Sequence, residues 1–389
     1  MKEKEHNANQ SFFGIKIRLW AVLLACAICL GAGWGLASRK QTQRFGGREN
    51  YELAQKYLEV LKVIDDYYIG ETDLAAISDA ASAAMIKALG DQWSYYMNAD
   101  EYEAYKLYSA NQYAGIGVTI EEDTDGFRIT GITAASPAER AGLQVNDVIQ
   151  SIGGESIKGM TTAEVRSIIR SYLDKTVTLT IKNAAGVQDV KVDCSIVYSN
   201  PVTYELMSGN VGYVRIANFE AGSGDAAISA VDSLLTQGAK SIVFDVRANP
   251  GGLLTELIKV LDHLLPEGEI FVSVNEAGEE TVTKSDNVCI EVPMAVLVNA
   301  GTYSAAEFFA AALSEFNWAT VVGEPTTGKG RSQVTLELSD GSAVHISNNK
   351  YLTPNRVDLS EVGGLTPDVI AAMTEEGDAQ LEAAIRAVS

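Results

Sequence analysis

The stretch LVNAGTYSAAEFF, residues 297–309, decides how the fold is read. Leu297 and Val298 close the apolar run MAVLV that starts at Met294, the pattern of a strand buried on both faces. From Ala305 the chain reads as a helix, so Ser304 stands at a strand-to-helix junction. A hydroxyl there lies at the positive end of the helix dipole beside free backbone N–H groups, which suits a nucleophile whose reaction generates an oxyanion. A plain N-cap serine has the same local signature, so the segment alone leaves both readings open. Glu307 reads either as a first-turn anion or as a catalytic group.

Outward from this stretch, VGYVRI (211–216), SIVFDV (241–246) and MAVLVN (294–299) are β-rich runs, each followed by a helical pattern. VTLELSDGSAVHI (334–346) is a hairpin turning at Asp340-Gly341. The expected architecture is an α/β core of mixed sheet type. Two more strand-end loops belong to it, FDVRANPGGLL (244–254) and VVGEPTTGKGRSQ (321–333). The second holds Gly323, four residues, then Gly328-Lys329, one residue short of a phosphate-binding loop. Gly330 stands where such a loop needs Ser or Thr, and a strand pattern follows instead of a helix, so nucleotide binding is rejected.

Upstream, the order GIGVTIEE (115–122), FRITGI (127–132), ASPAERAGLQVNDVIQSIGG (135–154), TTAEVRSIIR (161–170) and TVTLTIKN (176–183) resembles a PDZ domain, a partly open β-barrel with helices, over residues 113–197. Gly115, Ile116, Gly117 and Val118 form a glycine-rich turn entering a strand, where backbone N–H groups can converge on a carboxylate. An adjoining edge strand can accept an extended peptide by β-augmentation. Standing alone, the turn would read as merely tight.

Leu19 to Ala37 runs without a charge, and a bilayer-spanning helix needs about 20 apolar residues. Residues 17–38 are therefore expected to enter the lipid bilayer, after a cytoplasmic tail at 1–16. Gly35 and Ala37 leave signal cleavage and secretion as the alternative. Lys16 and Arg18 before the run and Arg39 and Lys40 after it fix orientation only weakly. Apolar residues at Tyr57, Leu61, Ile64 and Tyr68, then at Ile77, Ala81, Met85 and Leu89 with Gly90 as C-cap, predict two helices of a packing or dimerisation arm within 39–112.

With 30 Lys and Arg against 51 Asp and Glu, a net charge of −21 argues against nucleic acid as a partner. Four cysteines, Cys26, Cys29, Cys194 and Cys289, are too few and scattered for a disulfide scaffold and read as packing residues. Neither metal nor organic cofactor is implied.

Together the three loops resemble those of the carboxyl-terminal processing peptidases, or tail-specific proteases, with a likeness that runs from about Tyr51. The family's GT-x-S-A is matched by Gly301, Thr302, Ser304 and Ala305, its GKG-x-x-Q by Gly328, Lys329, Gly330 and Gln333, and its D-x-R-x-NPGG by Asp245, Arg247, Asn249, Pro250, Gly251 and Gly252. GDQWSYY at 90–96 resembles the segment before the family's PDZ domain. The resemblance implies a serine endopeptidase with Ser304 as nucleophile, Lys329 as base, Gln333 orienting the lysine, and an oxyanion hole bordered by Gly251, Gly252 and Ala305. It also implies protein substrates with free C-termini, and dimers or larger assemblies. The peptidase core is expected over 198–389, with it and the PDZ domain outside the cell membrane. Tyr303 departs from the family's usual small residue, Ala306 from a second serine and Ser332 from an apolar residue.

The chemistry is coherent without the family. His6, His263 and His345 lie in no recognisable loop motif, and a neutral lysine can replace histidine as base. Lowering a lysine by about three units from about 10.4 takes about 4 kcal/mol, which burial among Val321, Val322 and Val334 would supply. Gln333 can orient that amine through its carbonyl without adding charge. Arg170, ending the PDZ helix, reads as a peptide-sensing switch or as an exposed helix-terminal arginine. A membrane-tethered scaffold whose core has lost activity is the rival from another class, invited only by Tyr303 and Ala306.

Overall fold

The computed structural model describes residues 21–24, 26–27, 42–373 and 377–389. The expected tail at 1–16 and most of the expected anchor at 17–38 lie outside these residues. Among the described residues, no helix is long and apolar enough to cross a membrane. The chain forms two compact units, residues 1–78 and 79–389.

In the first unit, α1 (Arg48–Tyr67) follows the apolar spacing read at Tyr57, Leu61 and Ile64, and ends where Tyr68 turns extended and donates its N–H to the Ile64 carbonyl. It buries none of its side chains, and Leu53, Leu58, Val60 and Val63 are each more than half exposed. Helix α2 (Leu74–Lys87) begins in this unit and runs into the second. Gly90, at φ +71°, closes the turn beyond it by donating to the Lys87 carbonyl.

The second unit opens with β1 (Tyr95–Met97) and α3 (Ala99–Ser109), whose start is fixed by a reciprocal cap between Asn98 and Glu101. The PDZ domain follows, with β2 (Gln112–Gly115), β3 (Val118–Asp123), β4 (Gly126–Ile132), α4 (Pro137–Arg140), β5 (Val148–Ile152), β6 (Glu155–Ser156), α5 (Thr162–Arg170), β7 (Thr176–Asn183), β8 (Gly186–Asp193) and β9 (Ser195–Tyr198). Its main sheet has the order β3-β4-β5-β7-β8, with β6 on β5, while β2 pairs with β9. Val177, Leu179 and Ile181 alternate into the core, where Val165 and Ile169, one turn apart on α5, meet them. Buried Cys194 donates its thiol to the Ile169 carbonyl, a packing role; Cys26, by contrast, is exposed.

The catalytic half comprises β10 (Val202–Met207), β11 (Val211–Ile216), α6 (Ser223–Thr236), β12 (Ser241–Asp245), α7 (Leu254–Leu264), β13 (Gly268–Val274), β14 (Glu280–Ser285), β15 (Met294–Val298), α8 (Ala305–Glu315), β16 (Ala319–Gly323), β17 (Arg331–Glu337), β18 (Ala343–Leu352), α9 (Leu359–Val362), β19 (Val369–Ile370) and α10 (Ala379–Ala387). One sheet has the order β10-β11-β12-β15-β16-β19, parallel except for β10. Both its faces are covered. Ile242, Phe244, Val296, Val298 and Val321 pack with α6, α7 and α8. Val243, Ala295, Leu297 and Val322 pack on the opposite face with Ala384 of α10.

The second sheet, β1-β18-β13-β14 with β17 on β18, is antiparallel and includes the hairpin read at Asp340-Gly341. Here the structure departs from the expected boundary at 112. Strand β1, inside the segment read as linker and arm, pairs with β18 through Tyr95↔His345 and Met97↔Ala343. Three residues are too few to show a strand period.

Register explains where the loops meet. Asp245 lies opposite Leu297, and Leu297 opposite Val322, so β12, β15 and β16 end level and their three loops leave the same edge of the sheet. The first loop is tied down by Arg247, which donates to both oxygens of fully buried Asp245 and to Asp378 and Gln380 at the start of α10. Arg247→Ala leaves the buried Asp245 carboxylate with the backbone N–H of residue 247, Tyr213 and a 3.4 Å contact from half-exposed Arg215. Removing one partner of a buried ion pair is expected to cost about 3–5 kcal/mol, read as a lower urea midpoint. An unchanged midpoint would show that the clamp contributes nothing to stability.

Candidate active site

Ser304 sits at φ 58° and ψ −131°, a strained backbone for a residue with a side chain. Its neighbours hold it there. The Tyr303 N–H donates to the Asn249 carbonyl at 3.1 Å, and Thr302 Oγ1 donates to the Val246 carbonyl at 2.8 Å. Asn249 is itself fixed, its Nδ2 donating to the Ile216 carbonyl and its Oδ1 accepting from the Gly251 N–H. Gly251 has no alternative residue, because at φ +90° a Cβ would stand 2.7 Å from Ser304 Cβ and 2.9 Å from the Ala305 nitrogen.

Glu307 joins this elbow to the lysine loop. Fully buried, its carboxylate accepts from the Ser304 N–H at 2.9 Å, the Lys329 N–H at 2.8 Å, the Gly328 N–H at 2.6 Å and Thr326 Oγ1 at 2.5 Å. The loop that nearly matched a phosphate cradle thus has its backbone donors filled by an internal carboxylate. Strand β17 follows it, as the hairpin reading required. Of the two roles open for Glu307, its contacts give the structural one.

Ser304, Lys329 and Gln333 line one cleft of about 330 Å³. Burial lowers the Lys329 pKa, while the carboxylates of Asp91, Glu307 and Glu220 work against that shift. Lys329 Nζ stands 4.7 Å from the centre of the Trp93 ring and 5.8 Å from that of Tyr303. No hydrogen bond joins it to Ser304 or Gln333. Gln333 is anchored by its Nε2, which donates to the Arg331 carbonyl and Ser347 Oγ, each at 3.1 Å. Of the expected oxyanion donors, Gly251 has its N–H taken by Asn249 Oδ1. The N–H groups of Gly252 and Ala305 have no partner among the described residues.

The sequence reading holds Trp93 and Tyr95 only as part of a family-like segment, sets His345 aside as lying in no loop motif, and does not name Glu220; all four reach the lysine or its cleft. His345 pairs through Nδ1 with Thr335 Oγ1 and stacks 4.7 Å from Tyr95; burial pulls its pKa down to about 4. Spacing along the chain carries no signal for these residues.

A second cavity, about 340 Å³, lies in the PDZ domain against Gly115, Ile116, Gly117 and Val118. The Ile116 side chain is buried in the core, so this turn offers the groove its backbone; the Ile116 and Gly117 N–H groups have no partner among the described residues. Gly117, at φ +87°, is pressed against Ser136, which a Cβ would meet at 2.1 Å. Arg166 and Arg170, one turn apart on α5, line the same groove, and Arg170 forms no ion pair with the peptidase half. The sequence reading does not name Arg166.

The profile of Peptidase family S41 matches residues 210–371, and that of a PDZ domain matches residues 128–183. A CtpA-like serine protease of Staphylococcus saprophyticus is 30% identical over 370 residues, covering 94% of this chain and 74% of the relative. Its counterpart in Staphylococcus aureus strain MSSA476 is 32% identical over 333 residues, covering 84% and 67%. Among solved structures, the photosystem II D1 C-terminal processing protease is similar at a TM-score of 0.51 and 28% identity, over 90% of this chain and 93% of that one. The chain belongs to peptidase family S41 and is a C-terminal processing serine protease with a PDZ domain.

Proposed function

We propose that Ser304 is the nucleophile and Lys329 its base, acting on protein substrates whose free C-terminus is held by the PDZ groove. The observation that carries this reading is the Glu307 carboxylate, which binds the backbone N–H groups of both residues and so fixes the spacing of their loops. Burial that lowers the Lys329 pKa supports a neutral amine. Lys329 turns on its flexible stem from the Trp93 face toward Ser304 Oγ and takes the hydroxyl proton as oxygen attacks the scissile carbonyl. The resulting ammonium returns that proton to the amine leaving group as the C–N bond breaks, and water then releases the acyl group by the same route. Gln333 Oε1 orients the amine. The Ala305 and Gly252 N–H groups stabilise the oxyanion, each worth about 3 kcal/mol in comparable sites.

In the PDZ domain the Ile116 and Gly117 N–H groups take the terminal carboxylate, with Arg166 and Arg170 adding positive charge. The peptide extends along β3, the edge strand of its sheet. Arg170, which lines this groove, is the residue through which occupancy would be sensed. Residues 17–38 hold the protein in the cell membrane with both domains on the extracytoplasmic side, cleavage of that segment being the alternative. The exposed apolar residues of α1 are the surface through which two copies associate.

The test is cleavage of an unstructured protein with an apolar C-terminal residue by the full chain in detergent. Ser304→Ala and Lys329→Ala are each expected to lower kcat by about 10³-fold or more. The neutral amine is the active form, so kcat/KM should rise with pH through a midpoint below the ordinary lysine value of about 10.4. Full activity in either variant would overturn the assignment. Amidation of the substrate C-terminus should separately lower kcat/KM about tenfold through KM; equal rates for acid and amide would remove the PDZ capture step and leave the dyad standing.

A further inference from the structure

One carboxyl group in the cleft has no part in this chemistry. Glu220, between β11 and α6, lines the cavity that holds Ser304 and Lys329, yet is only 7% exposed. Its Oε2 and the neighbouring Ser109 Oγ are both closed to solvent, and Ser109 is the hydrogen-bonding neighbour of the carboxyl, so Glu220 meets the cleft through its small remaining exposure. Among the described residues Glu220 has no ion-pair partner within contact distance. A buried carboxyl with so few donors around it is destabilising, and native structures rarely keep one without a use.

The position of Glu220 is imposed by its backbone. The Glu220 N–H donates to Asn218 Oδ1, and Asn218 Nδ2 donates to Asn111 Oδ1. Ala221 completes the lock, its N–H donating to the Ser109 carbonyl and its own carbonyl accepting from Asn111 Nδ2. The cleft that Glu220 borders is also lined by Tyr95, Tyr108, Tyr303, Leu253 and Leu254, walls suited to the hydrocarbon part of a side chain. Burial raises the Glu220 pKa to about 7, against the opposing pull of Ser109 and Lys329. Protonated or not, the group keeps an oxygen able to accept a hydrogen bond.

We propose that Glu220 makes this end of the cleft a subsite for a substrate side chain carrying a hydrogen-bond donor, such as threonine or asparagine, over an aliphatic one of the same shape. The inference rests on Ser304 being the nucleophile, because that is what makes the cavity a substrate subsite. A purely apolar pocket discriminates weakly between isosteres, whereas a pocket with a buried polar group rejects the partner that leaves it unpaired.

The test uses the full chain and peptides that differ at one position beside the scissile bond, in the isosteric pairs threonine/valine and asparagine/leucine. At one such position the donor-bearing peptide should be cut about tenfold faster in kcat/KM. Glu220→Gln, which keeps an acceptor, should retain part of that ratio, and Glu220→Leu should abolish or invert it. Equal or reversed ratios in the unaltered protein at every position would overturn the proposal, whether or not Glu220→Leu folds. A ratio unchanged in Glu220→Leu would overturn it too. Ser304→Ala separates the two layers: cleavage that survives in it refutes the nucleophile, whereas a silent variant beside an unselective unaltered protein refutes only the subsite.

Discussion

A single buried anion organises the peptidase half. Carboxylates are seldom buried completely, because desolvation penalises the charged form, and they persist where several donors replace water. Glu307 has four such donors, three of them backbone N–H groups from loops that follow different strands. It also lies in the first turn of α8, where the helix dipole favours negative charge. Backbone donors cannot rotate away as side chains can. The contact therefore fixes the backbone of the GTYS loop against that of the TTGKG loop, and with it the origins of the Ser304 and Lys329 side chains.

That contact works only because β12, β15 and β16 end level. Parallel register brings three loops to one edge, and each then limits the next. Gly251 touches the Ser304 elbow through a gap that no side chain could enter, and Gly252 approaches Phe219 so closely that a Cβ would stand 2.3 Å from its carbonyl carbon. Ser304 is strained, and the strain persists because Asn249, Glu307 and Gly251 leave the elbow no relaxed alternative.

Much of this was legible in the chain, for identifiable reasons. The strands of the parallel sheet are short, continuous apolar runs, since both faces are covered, and the PDZ elements follow one another in an order that the chain itself displays. The three loops were readable because their glycines, serine and lysine lie close together in sequence. Residues meeting them from a distance were not. Tyr95 and Trp93 reach the cleft through β1, a strand of three residues, and Glu220 through a loop whose shape is set by Asn111, more than a hundred positions earlier. That the Gly251 N–H is occupied rests on one Asn249 side chain, which no spacing reveals.

Burial gives the cleft a common electrostatic character. It pushes Lys329 and His345 down and Glu220, Tyr95 and Tyr108 up, so every shift favours the neutral form. In a chain of net charge −21 the surrounding carboxylates would otherwise hold the lysine as an ammonium, and Asp91, Glu307 and Glu220 do pull it that way. Desolvation is the larger influence on Lys329, and a lowered lysine pKa is what the proposed role as base requires. The same loop that carries Glu220 is bonded to Ser109 and Asn111, where the chain leaves α3 to enter β2 of the PDZ domain. The PDZ entry and the cleft wall therefore share one set of hydrogen bonds.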